Sequence, residues 1–199
     1  MAISAQQVKG LRERTGAGMM DCKRALEAAG GDFEKAILVL REKGVAEARE
    51  KSVRKADEGV VTSYIHGDGR IGVLLELACE TDFVARNEEF RRLARELAMQ
   101  VAAMSPIVVR PEDLSEDVVK RERELYLHQC ADKPENIRER MVTGKLEKFF
   151  EQVCLLRQPY IRDDSRRVED VVKEMVAKLR ENIEVRRFVR MELGHSAES

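Results

Sequence analysis

Two apolar, β-branched stretches, Gly59 to His66 and Arg70 to Cys79, flank Gly67-Asp68-Gly69, and this arrangement constrains the chain more than any other feature. A glycine–acid–glycine turn between two such runs reads as a β-hairpin. A third strand fits at Ile183 to Leu193, where Ile183, Val185, Val189, Met191 and Leu193 share one parity. Arg187 interrupts that run, so one end of this face is expected to meet solvent. Elsewhere the apolar residues recur at helical spacing. The fold class is therefore α+β: an antiparallel three-stranded sheet with helices on one side.

Residues 1–44 read as three short helices. Ser4 with Gln7 three residues on is a capping-box pattern, and Thr15-Gly16-Ala17-Gly18 ends the first helix. Cys22, Ala25, Leu26 and Ala29 give the second its apolar stripe, up to Gly30-Gly31. Asp32 can cap the third, where Phe33, Ala36, Ile37 and Leu40 repeat the spacing; Gly44 is read as its stop. Such a unit resembles a ubiquitin-associated (UBA) domain. Residues 45–57, rich in Lys, Arg, Glu and Ala, read as a linker, partly helical. A core follows over 58–194, with a short tail at 195–199. Within the core, helices are expected from Asn87 to Ala103, from Ser115 to Ala131, from Pro134 to Val153 and from Ser165 to Leu179. The middle pair, joined by Asp132-Lys133, forms a projecting helical hairpin.

Composition narrows the function classes. Of 199 residues, 36 are Lys or Arg and 37 are Asp or Glu, so the net charge of −1 disfavours a general nucleic-acid binder. The four cysteines contain no CxxC pair, and with the three histidines they complete no metal spacing, so neither a metal nor a cofactor is expected. No long apolar run suggests a membrane span, and the pattern fits a cytoplasmic protein with reduced thiols. GxSxG and HExxH are absent, which argues against covalent catalysis. Thr143-Gly144-Lys145 is a fragment of a phosphate-binding loop set inside a helical pattern, so the chain is not expected to bind GTP or GDP itself.

Two segments stand out as partner contacts. Thr81-Asp82-Phe83-Val84-Ala85-Arg86-Asn87 sets an acid beside an aromatic ring where a strand gives way to a helix, and such junctions often carry binding residues. Spacing alone leaves two readings of Phe83: folded back onto the sheet, or presented to a partner. Asp82 is open between a partner contact and a cap for the following helix. Met19 and Met20 are the second pair. Adjacent helical residues point about 100° apart, so both cannot face one core equally. They are either gap-fillers or an adaptable binding surface.

Thr81 to Asn87 resembles one signature of the bacterial elongation factor Ts family, and Leu11 to Leu26 (LRERTGAGMMDCKRAL) resembles the other. The two stand in the family's order. Further pieces agree: Ser63 to Gly67, Arg70 to Val73, Lys145 to Phe150 and Gln158-Pro159-Tyr160. The likeness spans Ala5 to Leu193. It implies a guanine nucleotide exchange factor in translation elongation, which binds elongation factor Tu in its GDP-bound and nucleotide-free states. Phe83 is then the wedge that disturbs the partner's Mg²⁺ and phosphate site, with Thr81, Asp82 and Val84 as partner-binding residues around it. Arg12, Met19 and Met20 dock on the nucleotide-binding domain. His66, Ile161 and Arg162 resemble secondary contacts, for which a purely structural role stays open. Longer family members carry a duplicated core. A short form with one core is expected to work as a homodimer, two copies serving two partner molecules through the sheet edge or the hairpin. Two other readings remain: an adaptor that recruits a client through the three-helix module, and an RNA-binding helical protein, the latter disfavoured by the charge balance.

Overall fold

Ser4 opens the first helix, α1 (Ala5–Thr15), with the capping box its sequence carries: its hydroxyl accepts the Gln7 N–H, and Gln7 accepts the Ser4 N–H at 2.9 Å. Gly16 closes the helix at φ +70°, a left-handed conformation that costs glycine little. α2 (Met19–Ala28) runs to Gly30-Gly31, and Asp32 caps α3 (Phe33–Lys51) by accepting the Lys35 N–H. Val8, Leu11, Cys22, Ala25, Leu26 and Ala36 are the buried core of this module. The structure, a computed structural model, describes residues 3–194 except the side chain of Arg49. The tail expected at 195–199 lies outside the described residues.

Gly44 does not stop the third helix, contrary to the sequence reading. α3 continues through it to Lys51 and takes up the first part of the segment read as a linker. A Cβ at Gly44 would lie 3.4 Å from the Ala177 Cβ. The bare backbone permits close approach there, which offsets the roughly 1 kcal/mol that a mid-helix glycine costs.

The hairpin forms as expected from β1 (Glu58–His66) and β2 (Ile71–Cys79). Gly67, Asp68 and Gly69 all take positive φ, and the Arg70 N–H donates back to the His66 carbonyl at 3.1 Å. A four-residue helix, α4 (Asp82–Ala85), precedes α5 (Glu88–Met104). Then come α6 (Glu116–Gln129), capped by Ser115, and α7 (Glu135–Val153). Pro134 stands at the N-cap of α7, one position before the helical site expected for it. Pro159–Tyr160 (β3) pairs antiparallel with Asp163–Arg167 (β4), a ribbon absent from the sequence reading. Because those residues are extended, α8 (Val168–Leu179) starts three residues later than expected. β5 (Ile183–Glu192) completes a sheet ordered β1-β2-β5.

The chain divides into two compact units. One holds the N-terminal segment up to Gly59, Ala78–Phe90 and Asp170–Glu184, so the three-helix module, α4 and most of α8 belong together. The other holds Val60–Leu77, Arg91–Glu169 and the chain from Val185. In this second unit the Leu193 N–H donates to the Arg70 carbonyl at 2.8 Å, so the end of β5 meets the start of β2 in antiparallel register. Val73, Leu75 and Leu77 bury one face of β2. On the same unit Val61, Ile65, Leu74, Val189, Met191 and Leu193 stay exposed. The far end of the third strand is thus open, as Arg187 suggested, and Arg187 itself pairs with Glu76 at 2.7 Å.

The helical hairpin of α6 and α7 is held by Arg123 on Glu139 at 2.9 Å and Lys145 on Gln129 at 2.7 Å. Thr143-Gly144-Lys145 lies inside α7, so it forms no phosphate-binding loop.

Candidate partner-binding site

Thr81 starts α4: its side chain accepts the Val84 N–H at 3.4 Å. Val84 and Ala85 are buried, which pins the turn down on one side. Phe83, on the other side, is 79% exposed. It does not fold back onto the sheet. A Phe left this far in water forgoes roughly 1.5–3 kcal/mol of burial. Asp82 is exposed and pairs with Arg86 at 3.0 Å along the helix, a contact of small worth at the surface. Asp82 caps neither helix: Thr81 caps α4, and the Asn87 side chain accepts the Glu89 and Phe90 N–H groups at the start of α5.

The junction is anchored from about a hundred residues away in sequence. Glu181 accepts the Glu80 and Thr81 N–H groups, both at 3.1 Å, through one carboxylate oxygen. Its other oxygen accepts the Thr81 hydroxyl at 2.6 Å. In return the Asn182 N–H donates to Glu80 at 2.6 Å. The sequence reading missed Glu181, because no local pattern reports such a contact.

In the same unit, Met19 and Met20 open α2 and are 49% and 61% exposed. Neither fills a core gap. Arg12 is exposed on α1. Beside the methionines, the Asp21 side chain is only 13% exposed and accepts from three cations: Lys43 at 2.5 Å, Arg24 at 2.8 Å and Arg180 at 3.1 Å. The Lys43 hydrogen bond, against some desolvation, holds the Asp21 carboxyl below its ordinary range. Asp21 and Arg180 were also missed as site residues. One signal was available: a helix ending Leu179-Arg180-Glu181 has no glycine or asparagine to close it.

The secondary positions lie in the other unit. His66 is exposed at the hairpin tip, stacked on Tyr64 at 5.9 Å, with the Tyr64 hydroxyl 3.0 Å from its Nδ1. Ile161 and Arg162 are exposed between β3 and β4. A buried amide pair shapes that loop. Gln100 donates to Gln158 at 3.2 Å and to the Pro159 carbonyl at 3.0 Å, and accepts the Ile161 N–H at 2.8 Å. Tyr160 donates to Glu96 at 2.6 Å, and burial raises its phenol above the ordinary range.

Among the described residues no cluster of His, Cys, Asp and Glu forms a metal site, and no helix is long and apolar enough to cross a membrane. All four cysteines are buried free thiols. Desolvation pushes Cys79 and Cys154 up to about 11, so they are neutral packing groups at pH 7.

The family model described as elongation factor TS matches residues 27–195. The chain is 57% identical over 197 residues to elongation factor Ts of Thermodesulfovibrio yellowstonii, covering 98% of each chain. It is 57% identical over 198 residues to that of Thermotoga petrophila, covering 100% of both. Against that of Desulforamulus reducens it is 58% identical over 198 residues, covering 98% of this chain and 91% of the relative. The chain belongs to the elongation factor Ts family of translation elongation factors.

Proposed function

We propose that this chain is a guanine nucleotide exchange factor that binds elongation factor Tu–GDP and promotes GDP release. The observation that carries the reading is Phe83: an exposed ring on a short helix whose other side, Val84 and Ala85, is buried and whose start is held by Thr81. The ring enters a pocket near the partner's Mg²⁺ and phosphate site, while Arg12, Met19 and Met20 dock on its nucleotide-binding domain. His66, Ile161 and Arg162 add secondary contacts. Thr81 and Val84 serve from behind, holding the turn. The chain needs no cofactor and forms no covalent intermediate.

The physics is differential binding. A GTPase holds its nucleotide through phosphate contacts and a Mg²⁺ ion of exacting geometry. A protein that binds better to the conformation in which those contacts are spoiled loosens GDP. By reciprocity, incoming nucleotide loosens the protein. Each tenfold in release rate requires about 1.4 kcal/mol of selective stabilisation. One buried Phe contributes roughly 1.5–3 kcal/mol, so the ring alone supplies one or two decades and the other contacts the rest.

The active species is a cytoplasmic homodimer that serves two partner molecules. The apolar sheet face of Val61, Ile65, Leu74, Val189, Met191 and Leu193 supports a second copy as its cover, since an apolar face is complementary to itself. Release of a fluorescent GDP analogue from elongation factor Tu, chased with unlabelled GDP, tests the exchange activity. Acceleration by the chain is the expected result. No acceleration at any concentration leaves the adaptor reading in its place.

A further inference from the structure

Arg180 occupies a position that favours glycine. It follows the last residue of α8 with φ +62°, and its N–H donates to the Val176 carbonyl at 2.9 Å. This left-handed residue closes the helix, a place glycine usually takes. Other residues are strained there and persist where the surroundings impose it. Stability gives no reason for arginine. Its side chain is 67% exposed, so its 3.1 Å pair with Asp21 is screened by solvent and worth little.

The geometry around Arg180 supplies another reason. Asp21 adjoins Met20, so the guanidinium ties the end of α8 to the exposed methionines. Gly18 leaves room for it: a Cβ there would lie 3.0 Å from both the Arg180 Nη2 and the Asp21 Oδ2. The next residue, Glu181, ties the same point to Thr81, two residues before Phe83. Lys178 adds a parallel tie. Its chain lies 3.2 Å from where a Gly16 Cβ would sit, and its ammonium donates to Glu89 at 2.6 Å. Within four residues, the end of α8 therefore reaches both exposed segments. Gly16 and Gly18, just before α2, leave room for the Lys178 and Arg180 side chains.

We infer that the end of α8, through Arg180 and Glu181, is a brace that holds Met19 and Met20 in fixed relation to Phe83, so that one partner molecule meets both at once. The inference rests on the exchange-factor reading of those two segments, and Arg180 and Glu181 are positioning residues in it. Two contacts carried on one rigid body reinforce each other, because the second forms at a high effective concentration. If the relation between them loosens, binding weakens even though every contacting side chain is still present.

Arg180→Gly is the discriminating variant. It removes the guanidinium and suits the left-handed backbone, so the protein is expected to fold with an unchanged or higher Tm. Spin labels on cysteines introduced at the exposed positions Lys23 and Glu88, in a protein whose own thiols are buried, report the distance between the segments. The parent is expected to give one narrow distance distribution and Arg180→Gly a broader or displaced one. The concentration of chain needed for half-maximal GDP release from elongation factor Tu is expected to rise about two- to fivefold, with the maximal rate retained. A distribution as narrow as the parent's, or an unchanged half-maximal concentration, overturns the brace. A parent chain that leaves GDP release unaltered overturns the exchange-factor reading instead, and the distance distributions then decide the brace as a rigidity device by themselves.

Discussion

The Thr81 hydroxyl donates to the Glu181 carboxylate at 2.6 Å while accepting the Val84 N–H at 3.4 Å. One hydroxyl thus caps the helix that carries Phe83 and fastens it to the chain beyond α8. Thr81→Ala removes the cap and the charge-assisted bond together and is expected to cost about 1–2 kcal/mol. Thr81→Ser keeps both groups and is expected to unfold at a denaturant midpoint close to the parent's. Equal losses in the two variants would assign the effect to the methyl group rather than to the hydroxyl.

Asp21 makes the acid limb of stability predictable. Its hydrogen bond from Lys43, against some desolvation, and the one from Arg24 hold its folded-state pKa below the ordinary 3.8. A depressed carboxylate contributes stability that is complete above pH 3.8 and is lost as the pH falls through the folded value. Asp21→Asn is therefore expected to be less stable than the parent at pH 7. The gap is expected to narrow as the pH drops below 3.8. Urea unfolding of both proteins from pH 7 down to pH 2.5 measures it; a gap that stays constant would show that the charge of Asp21 is not what stabilises.

The exposed sheet face predicts the oligomeric state. Met191 is 72% exposed in the single chain, and the sheet residues Val61, Ile65, Leu74 and Val189 and the adjoining Leu193 are exposed to lesser degrees. If a second copy covers that face, Met191→Glu buries a charge without a partner and splits the dimer. Sedimentation equilibrium is expected to give a dimer for the parent and a monomer for the variant. A variant that remains a dimer would move the contact to another surface, with the helical hairpin next in line.

Where the sequence reading succeeded, a local rule and the tertiary structure agreed. Ser4 with Gln7 announced α1, Gly67-Asp68-Gly69 announced the hairpin turn, and the stripe of Phe90, Leu93 and Leu97 announced α5. Gly44 misled because a mid-helix glycine reads as a stop, while here it admits Ala177 at close range. β3, at two residues, is too short to carry any periodicity. The exposure of Phe83 was undecidable from spacing, since a four-residue helix has no stripe to read. It became visible only with Val84 and Ala85 buried beneath it. Glu181 and Arg180 act on Thr81 and Asp21 across long stretches of chain, and only the α8 ending without a glycine hinted at them.

Phe83 carries the central claim, and its exposure separates function from folding. At 79% exposed it contributes little to the fold, so Phe83→Ala is expected to change stability by less than about 0.5 kcal/mol. The measurement is the rate of fluorescent GDP release from elongation factor Tu at saturating concentrations of parent and variant. The account predicts a ten- to hundredfold loss of the acceleration, the equivalent of roughly 1.5–3 kcal/mol of ring burial, with the variant still folded. A folded Phe83→Ala protein that accelerates release as well as the parent would contradict it.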